Sequence, residues 1–302
     1  MTRILLIGQD GQVGQELSKT LAPLGEVIGV GRSQLDLAQP DLIPACIEAA
    51  QPDLIVNAAA YTAVDKAESE PDLAYTINAT APRRMAETAH QIGAPLIHIS
   101  TDYVFDGSKS SPYTETDPTN PIGVYGKSKL AGETEILSFA EQCPEFHYLI
   151  LRTAWVYGAQ GKGNFVKTML RLGGEREEVR VVVDQAGTPT WAADIAGAIT
   201  ALSEQFLSLE SPASGIYHFT NTGITSWYDF AVAIFEEAKT LGVPLALKRV
   251  VPITTPEYPT PAQRPAYSVL ANQKIQKQLQ SAAPQWRQSL RQMLTELYLS
   301  NP

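Results

Sequence analysis

Tyr125 and Lys129 stand four residues apart in the run Tyr125-Gly126-Lys127-Ser128-Lys129, which opens a segment of apolar period (Leu130, Ala131, Ile136, Leu137). On a helix that spacing sets one side chain above the other on a single face. An unperturbed phenol loses its proton near pH ~10. An ammonium one turn away, together with the positive end of the helix dipole, favours the phenolate, so the sequence predicts a Tyr125 pKa below that value. Such a phenol hands a proton to a carbonyl oxygen while a hydride arrives at carbon. The same spacing also occurs on ordinary solvated helices, so its meaning depends on what the rest of the chain brings to it.

A strand, a glycine turn and a helix come first. The run Arg3–Ile7 reads as a buried strand leading into Gly8, Gly11, Gln12, Val13 and Gly14, after which Leu17, Leu21 and Leu24 keep a helical period. Glycines so spaced permit a tight turn and a close approach of backbone to a pyrophosphate, whose charge the helix N-terminus attracts. A second strand, Glu26–Val30, ends in Gly31-Arg32-Ser33, without the acid that usually grips a ribose hydroxyl. Arg32 is either a surface arginine or a partner for a 2′-phosphate, which points to NADPH with NADH as a second candidate. Asp36 and Leu37 follow and would border the adenine.

Residues 43–50 read as a helix, and 53–57 as a third strand running into Ala58-Ala59-Ala60-Tyr61-Thr62, where small side chains leave room for a cofactor. Residues 73–92 carry one long helical pattern, and 95–99 a fourth strand ending in Ser100-Thr101-Asp102. C-terminal strand ends of a parallel sheet face the ligand crevice, which places Thr101 to hydrogen-bond a substrate carbonyl, unless it is simply a turn residue. A Gly/Ser/Pro/Thr-rich loop, 106–121, separates this strand from the Tyr125 helix. A strand at 148–151 leads to Trp155, a wall of the site or a core residue. Further on come a helix at 164–172, a strand at 179–183, a helix at 192–202, a strand at 216–220, a helix at 227–241, a proline-rich loop at 251–265 containing Arg264, and a closing helix at 285–299.

This alternation predicts an α/β fold: a Rossmann-type doubly wound parallel sheet with a smaller C-terminal substrate-binding α/β domain. The division expected is 1–158 for the NADP-binding domain, with strands 179–185 and 215–221 returning to it, and 159–302 mainly for substrate. The 302 residues are 44% hydrophobic, enough for a sizeable core. No apolar run approaches the roughly 20 residues of a membrane span, and the N-terminus does not resemble a signal peptide, so the expected place is the cytoplasm. With 23 Lys plus Arg against 32 Asp plus Glu, a net charge of −9 and no basic run, nucleic acid is an unsuitable partner. The two cysteines, Cys46 and Cys143, lie in no metal or redox motif.

The motifs together resemble the extended short-chain dehydrogenase/reductase family and, within it, the family of dTDP-4-dehydrorhamnose reductases. The resemblance runs almost end to end. It includes Gly-Gln-Val-Gly at 11–14, Ile-Val-Asn-Ala-Ala-Ala at 55–60, Thr-Ala-Val-Asp-Lys-Ala-Glu-Ser-Glu-Pro at 62–71 and Ser-Thr-Asp-Tyr-Val-Phe at 100–105. It continues with Val-Tyr-Gly-Lys-Ser-Lys at 124–129, Arg-Thr-Ala-Trp-Val-Tyr at 152–157 and Tyr-Pro-Thr-Pro-Ala-Gln-Arg-Pro at 258–265. The resemblance implies NADPH-dependent reduction of the C4 ketone of a dTDP-linked 6-deoxy-4-keto-hexose, giving dTDP-L-rhamnose. It implies Tyr125 as proton donor, Lys129 holding the nicotinamide ribose and lowering the phenol pKa, and Thr101 on the reacting oxygen. Gly11, Gln12 and Val13 would meet the pyrophosphate, Asp36 and Leu37 the adenosine, and Ala60, Tyr61 and Thr62 the middle of the cofactor. Thr101, Asp102 and Trp155 would line the sugar, with Arg264, Asn164 and Lys167 for the diphosphate.

Some relatives are implied to dimerise through a divalent metal and three glutamates. Glu16 and Glu296 match two of these positions, but Ala193 stands at the third beside Asp194, so no metal site is expected, and either a monomer or a homodimer is. A 4,6-dehydratase would carry Asp-Glu after the threonine, where this chain has Asp102 and Tyr103. A non-catalytic NADP-binding subunit resembling the methionine adenosyltransferase beta subunit is the alternative from another class. Thr153, Trp155 and the 258–265 block follow the reductases instead.

Overall fold

The computed structural model describes residues 1–208 and 214–299, so residues 209–213 and 300–302 of the expected second unit lie outside the described residues. Five strands, β1 (Arg3–Ile7), β2 (Glu26–Val30), β3 (Leu54–Asn57), β4 (Leu96–Thr101) and β5 (Tyr148–Thr153), join the strand Gly215–His218 in one six-stranded sheet. Every pairing in it is parallel, and the order from one edge is Gly215–His218, β5, β4, β3, β1, β2. Strand order reverses between β1 and β3, the place where open parallel sheets bind ligands.

Helices cover both faces, which is why the central strands read as continuous apolar runs. Helices α1 (Gln12–Thr20) and, much later in the chain, Ala192–Ser208 bury Leu17, Ile195 and Ile199 against Ile4, Leu6, Val56, Ile97 and Leu151. On the opposite face α2 (Ile43–Ala50) packs Ile43 and Ile47 against the alternate residues Leu5, Ile7, Ile55, Leu96 and Ile150.

The helical pattern at 73–92 is interrupted. It resolves into α3 (Val64–Ala67), α4 (Pro71–Tyr75), a π-helical turn at Thr76–Thr80 and α5 (Ala81–Gln91). Pro82 has no N–H for the carbonyl of Asn78 four residues back, so the ladder must widen there. Helix α6 (Val124–Gln142) packs on this turn so closely that a Cβ on Gly132 would lie 2.0 Å from Asn78 O.

The second lobe surrounds α7 (Phe165–Glu175) and the helices Trp227–Thr240 and Trp286–Leu299, with Phe230, Ile234, Leu290 and Met293 at its centre. The strand Gly215–His218 returns to the main sheet as expected. The strand Glu178–Val182 does not: it pairs in parallel with Arg249–Ile253, which runs into the start of the stretch read as loop from 251. Its residues alternate Val179 and Val181 buried with Arg180 exposed, so only one face is covered. A strand with one wet face suits a small outer sheet better than a sheet sandwiched between helices.

Candidate active site

Strand alternation decides which polar groups enter the interior under α6. Asn57, His98, Ser100 and Arg152 share the sheet face that bears Ile55, Leu96 and Ile150, and all four are buried. The next residue of β4, Thr101, ends the strand and turns at the sheet's C-terminal edge. It is buried, gives its hydroxyl to Asp102 Oδ1 at 3.0 Å, and its Oγ1 accepts from Tyr103 N at 3.3 Å.

Tyr125 enters from the first turn of α6, behind Gly123 at its N-terminus. Gly126 allows the approach, because a Cβ there would lie 2.2 Å from Tyr103 O. The Tyr125 ring meets the edge of Tyr103 with centroids 5.4 Å apart, and its hydroxyl lies near enough to the Thr101 side chain for that group to pull its pKa down. The threonine and the phenol therefore converge, although 24 residues of chain separate them (125 − 101).

The predicted fall in the Tyr125 pKa is not found. Burial pushes it up to about 12, the Thr101 side chain only partly opposing this and the Asp102 carboxylate adding to it. The reason is where Lys129 points: its ammonium donates to Ile99 O at 2.7 Å and lies 3.2 Å from His98 Nε2. Burial lowers Lys129 itself to about 8, against the opposing pull of Glu133. Asp102, walled from water, is raised to about 6, although the Thr101 hydroxyl and the nearby Ser268 side chain favour its carboxylate. At neutral pH the phenol thus keeps its proton, the state a proton donor requires.

At the same C-terminal edge of the sheet, two strands away at the end of β1, lies the glycine turn. Gly8 has φ +91°, and a Cβ on Gly14 would stand 2.0 Å from Gly8 O, so the turn closes only without side chains. Helix α1 starts at Gly11 with no side-chain cap and no acid in its first turn, a combination that suits a pyrophosphate. These residues fit a dinucleotide. Across β3, Tyr61 N donates to Asn78 Oδ1 at 2.9 Å, while Asn78 Nδ2 donates to Tyr61 O at 3.1 Å and to Ser128 Oγ at 3.0 Å. Ser128 in turn donates to Tyr125 O at 2.8 Å. Asn78 thereby fastens the Ala60-Tyr61-Thr62 segment to the helix that carries the phenol, a role the helical reading of 73–92 missed.

After β2, where the adenosine is expected, Arg32 is exposed and lies 3.6 Å from Asp36, and the carboxylate of Asp10 stands against Gly31. Asp36 comes from the same stretch of chain, and Asp10 is brought there by the glycine turn. Leu37 faces inward and is core.

The remaining predicted residues form a second wall. Trp155 follows β5 with φ +48°, a strained conformation for a large side chain, and stacks on Trp227 with ring centroids 3.5 Å apart. Gly187 makes room for it, since a Cβ there would meet the indole. No spacing in the sequence pointed to Trp227. Asn164 caps α7 through Lys167 N at 3.0 Å and also donates to Gln12 Oε1 at 2.7 Å, which ties the second lobe to the glycine turn. Lys167 Nζ donates to Gly161 O at 2.9 Å. Arg264 is engaged with both Asp65 oxygens, at 3.0 and 2.8 Å, so the 258–265 loop is latched onto α3 close to Tyr103.

A family model described as the RmlD substrate binding domain matches residues 1–299. The chain belongs to that family. It is 48% identical over 290 residues to a dTDP-4-dehydrorhamnose reductase of Burkholderia thailandensis, covering 94% of this chain and 95% of the relative. The reductase of the same name from Escherichia coli is 45% identical over 299 residues, 98% of each chain. A crystal structure of dTDP-4-dehydrorhamnose reductase from Bacillus anthracis in complex with NADP superposes with a TM-score of 0.87 at 37% identity, covering 98% of this chain and 100% of that one. A UDP-glucose 4-epimerase of Thermus thermophilus, at 20% identity and a TM-score of 0.79, shares the fold.

The divalent ion implied for some members of the RmlD family does not fit the residues present here. Lys19 Nζ stands 3.1 Å from Glu16 Oε2 and 4.0 Å from Glu296 Oε1, so the chain's own cation lies between the two acids. Ala193 offers no ligand, and Asp194 is held by Ser289 at 2.6 Å and Asn221 at 2.7 Å.

Proposed function

We infer that this protein is an NADPH-dependent reductase, an oxidoreductase that converts the C4 ketone of dTDP-4-dehydro-β-L-rhamnose to the alcohol of dTDP-β-L-rhamnose. The convergence of the Thr101 and Tyr125 hydroxyls at the sheet edge that also bears the glycine turn is the observation that carries this reading. Bound NADPH supplies the hydride. Thr101 and Tyr125 donate to the ketone oxygen, where negative charge develops, and Tyr125 delivers its proton there. Lys129, one turn along α6 from the phenol, is assigned to the nicotinamide ribose. Trp155, Asp102 and Trp227 shape the sugar pocket, and Arg264, Asn164 and Lys167 serve the diphosphate, Arg264 by exchanging part of its hold on Asp65.

The first lobe, 1–158 with the strand Gly215–His218, carries the cofactor, and 159–302 mainly the sugar nucleotide. Among the described residues no helix is long and apolar enough to cross a membrane. The acidic balance argues against nucleic acid, and we place the enzyme in the cytoplasm as a monomer or a homodimer without a bridging metal. Mixing the protein with NADPH and dTDP-4-dehydro-L-rhamnose should consume the absorbance of the reduced nicotinamide. An unchanged absorbance, with NADPH binding intact, would favour a non-catalytic cofactor-binding subunit.

A further inference from the structure

We propose that His98 is a positioning residue that sets the charge state of Lys129 by presenting to it an N–H instead of a lone pair. The argument starts at Asn57. Its Oδ1 accepts from Ala59 N at 3.1 Å, which fixes the amide and turns Nδ2 toward His98 Nδ1 at 2.9 Å. An amide nitrogen only donates, so Nδ1 must accept, and in a neutral imidazole the hydrogen then sits on Nε2. The ring is wholly enclosed, and burial with the nearby Lys129 charge holds its pKa well below the ordinary value, so it stays neutral. Nε2–H therefore faces Lys129 Nζ at 3.2 Å.

An ammonium has donors only and meets that N–H head on, whereas a neutral amine accepts it with its lone pair. The second contact of Nζ, to Ile99 O at 2.7 Å, is satisfied by either form. The other ionisable groups around Lys129 do not remove the conflict. Glu133, on the same helix, is clasped by Arg152 from β5 at 2.6 Å and by Ser100 from β4 at 2.5 Å. Asp102, beyond the end of β4, acts on Tyr125. His98 and Asn57 thus add to burial in keeping Lys129 ready to lose its proton near the working pH. This inference rests on the reductase reading for its meaning, because a phenol emptied in each turnover must be refilled from nearby.

NMR on the full-length protein tests it, with labelled histidine for the ring tautomer and a labelled lysine ε-carbon assigned by its loss in Lys129→Met. We expect His98 to carry its hydrogen on Nε2 and Lys129 to titrate near pH 8. In His98→Gln made together with Asn57→Leu, no side-chain donor competes for the new amide oxygen, which can turn to Nζ, so the Lys129 midpoint should rise by about one unit, a tenfold gain in proton affinity. The alkaline limb of the kcat/KM profile should move up with it, a shift that loss of packing alone would not produce. A ring proton on Nδ1, or coincident Lys129 midpoints in the two proteins, would overturn the proposal. Should the double variant not fold, the wild-type tautomer decides alone. The expected NMR results in a protein unable to reduce the dTDP-sugar would sink the reductase reading and leave the His98 assignment standing.

Discussion

Two polar clusters lie side by side under α6 and differ in how completely they are compensated. Lys129 and Glu133 are one helical turn apart, and they meet His98 and Ser100, two residues apart on β4. Glu133 is answered in full: Arg152 donates through Nε at 3.0 Å and Nη2 at 2.6 Å, Ser100 donates its hydroxyl, and His218 Nε2 stands 3.4 Å from Arg152 Nη1. Lys129 has one carbonyl and an opposing N–H. A buried ion pair with every lone pair satisfied is an inert fixture, whereas a buried cation held by neutral groups retains a pKa that can be used. Tyr125 belongs with the second kind: its surroundings leave it protonated at neutral pH, as the donor role proposed for it requires.

The largest effects separate chemistry from architecture. Tyr125→Phe keeps the ring that packs on Tyr103 and removes the proton, so turnover should fall about 10²- to 10⁴-fold in steady-state assays, with the melting temperature and NADPH affinity little changed. A rate within a few-fold of wild type would take the donor role away from Tyr125. Glu133→Gln should behave oppositely. It strands the Arg152 guanidinium in the interior and should cost about 3–5 kcal/mol in urea unfolding, while the folded fraction retains most of its kcat. The pair Glu133→Leu with Arg152→Met should recover much of that loss, because no charge is left behind. If the single variant were as stable as wild type, the contrast between the clusters would fail.

Acid sharpens the comparison by a smaller amount. Burial and the Arg152 charge hold the His218 pKa at about 3, so the native ring stays neutral while the unfolded one protonates below its ordinary value of 6.5. The stability this contributes is complete above pH 6.5 and is lost as pH falls from there toward 3. At pH 5 the loss is about 2 kcal/mol for this histidine. His218→Gln can keep an acceptor for Arg152 and a donor for Tyr113 O but does not titrate. Urea midpoints at pH 7 and pH 5 should therefore drop further in wild type than in the variant, and equal drops would exclude His218 as the cause. Asp102, raised to about 6, works in the opposite sense in both proteins and cancels in the comparison.

Much of this was legible in the residues, and what was not has physical causes. Strands covered on both faces announce themselves as apolar runs, so β1 to β5 and the crevice at their ends could be read directly. The glycine turn and the four-residue spacing of Tyr125 and Lys129 are local patterns with a fixed geometric meaning. The direction of the Tyr125 pKa was misread because spacing reports proximity and says nothing of burial, nor of the carbonyl of Ile99 that claims the ammonium. His98 was not singled out within the strand read at 95–99, because its partner Asn57 comes from a different strand at the same level of the sheet. Trp227 and Asn78 reach the site through packing and through a turn widened by Pro82, events that no periodicity encodes.

The smallest effect concerns the cofactor's far end, where the absence of an acid after β2 pointed to a 2′-phosphate. Two acids stand there: Asp36, four residues along the chain and 3.6 Å from Arg32, and Asp10, which the glycine turn brings against Gly31. Arg32 is exposed and already shares its charge with Asp36, so its attraction for a phosphate is screened by water and divided between two anions. Arg32→Ala should lower the ratio of kcat/KM for NADPH over NADH by no more than about tenfold, the equivalent of 1.4 kcal/mol. Asp36→Asn should raise the ratio by freeing the guanidinium for the phosphate. Paired kinetics with the two cofactors would read both variants. A ratio that collapses a hundredfold in Arg32→Ala would mean that the Arg32–Asp36 pair opens when NADPH binds, giving the arginine wholly to the phosphate.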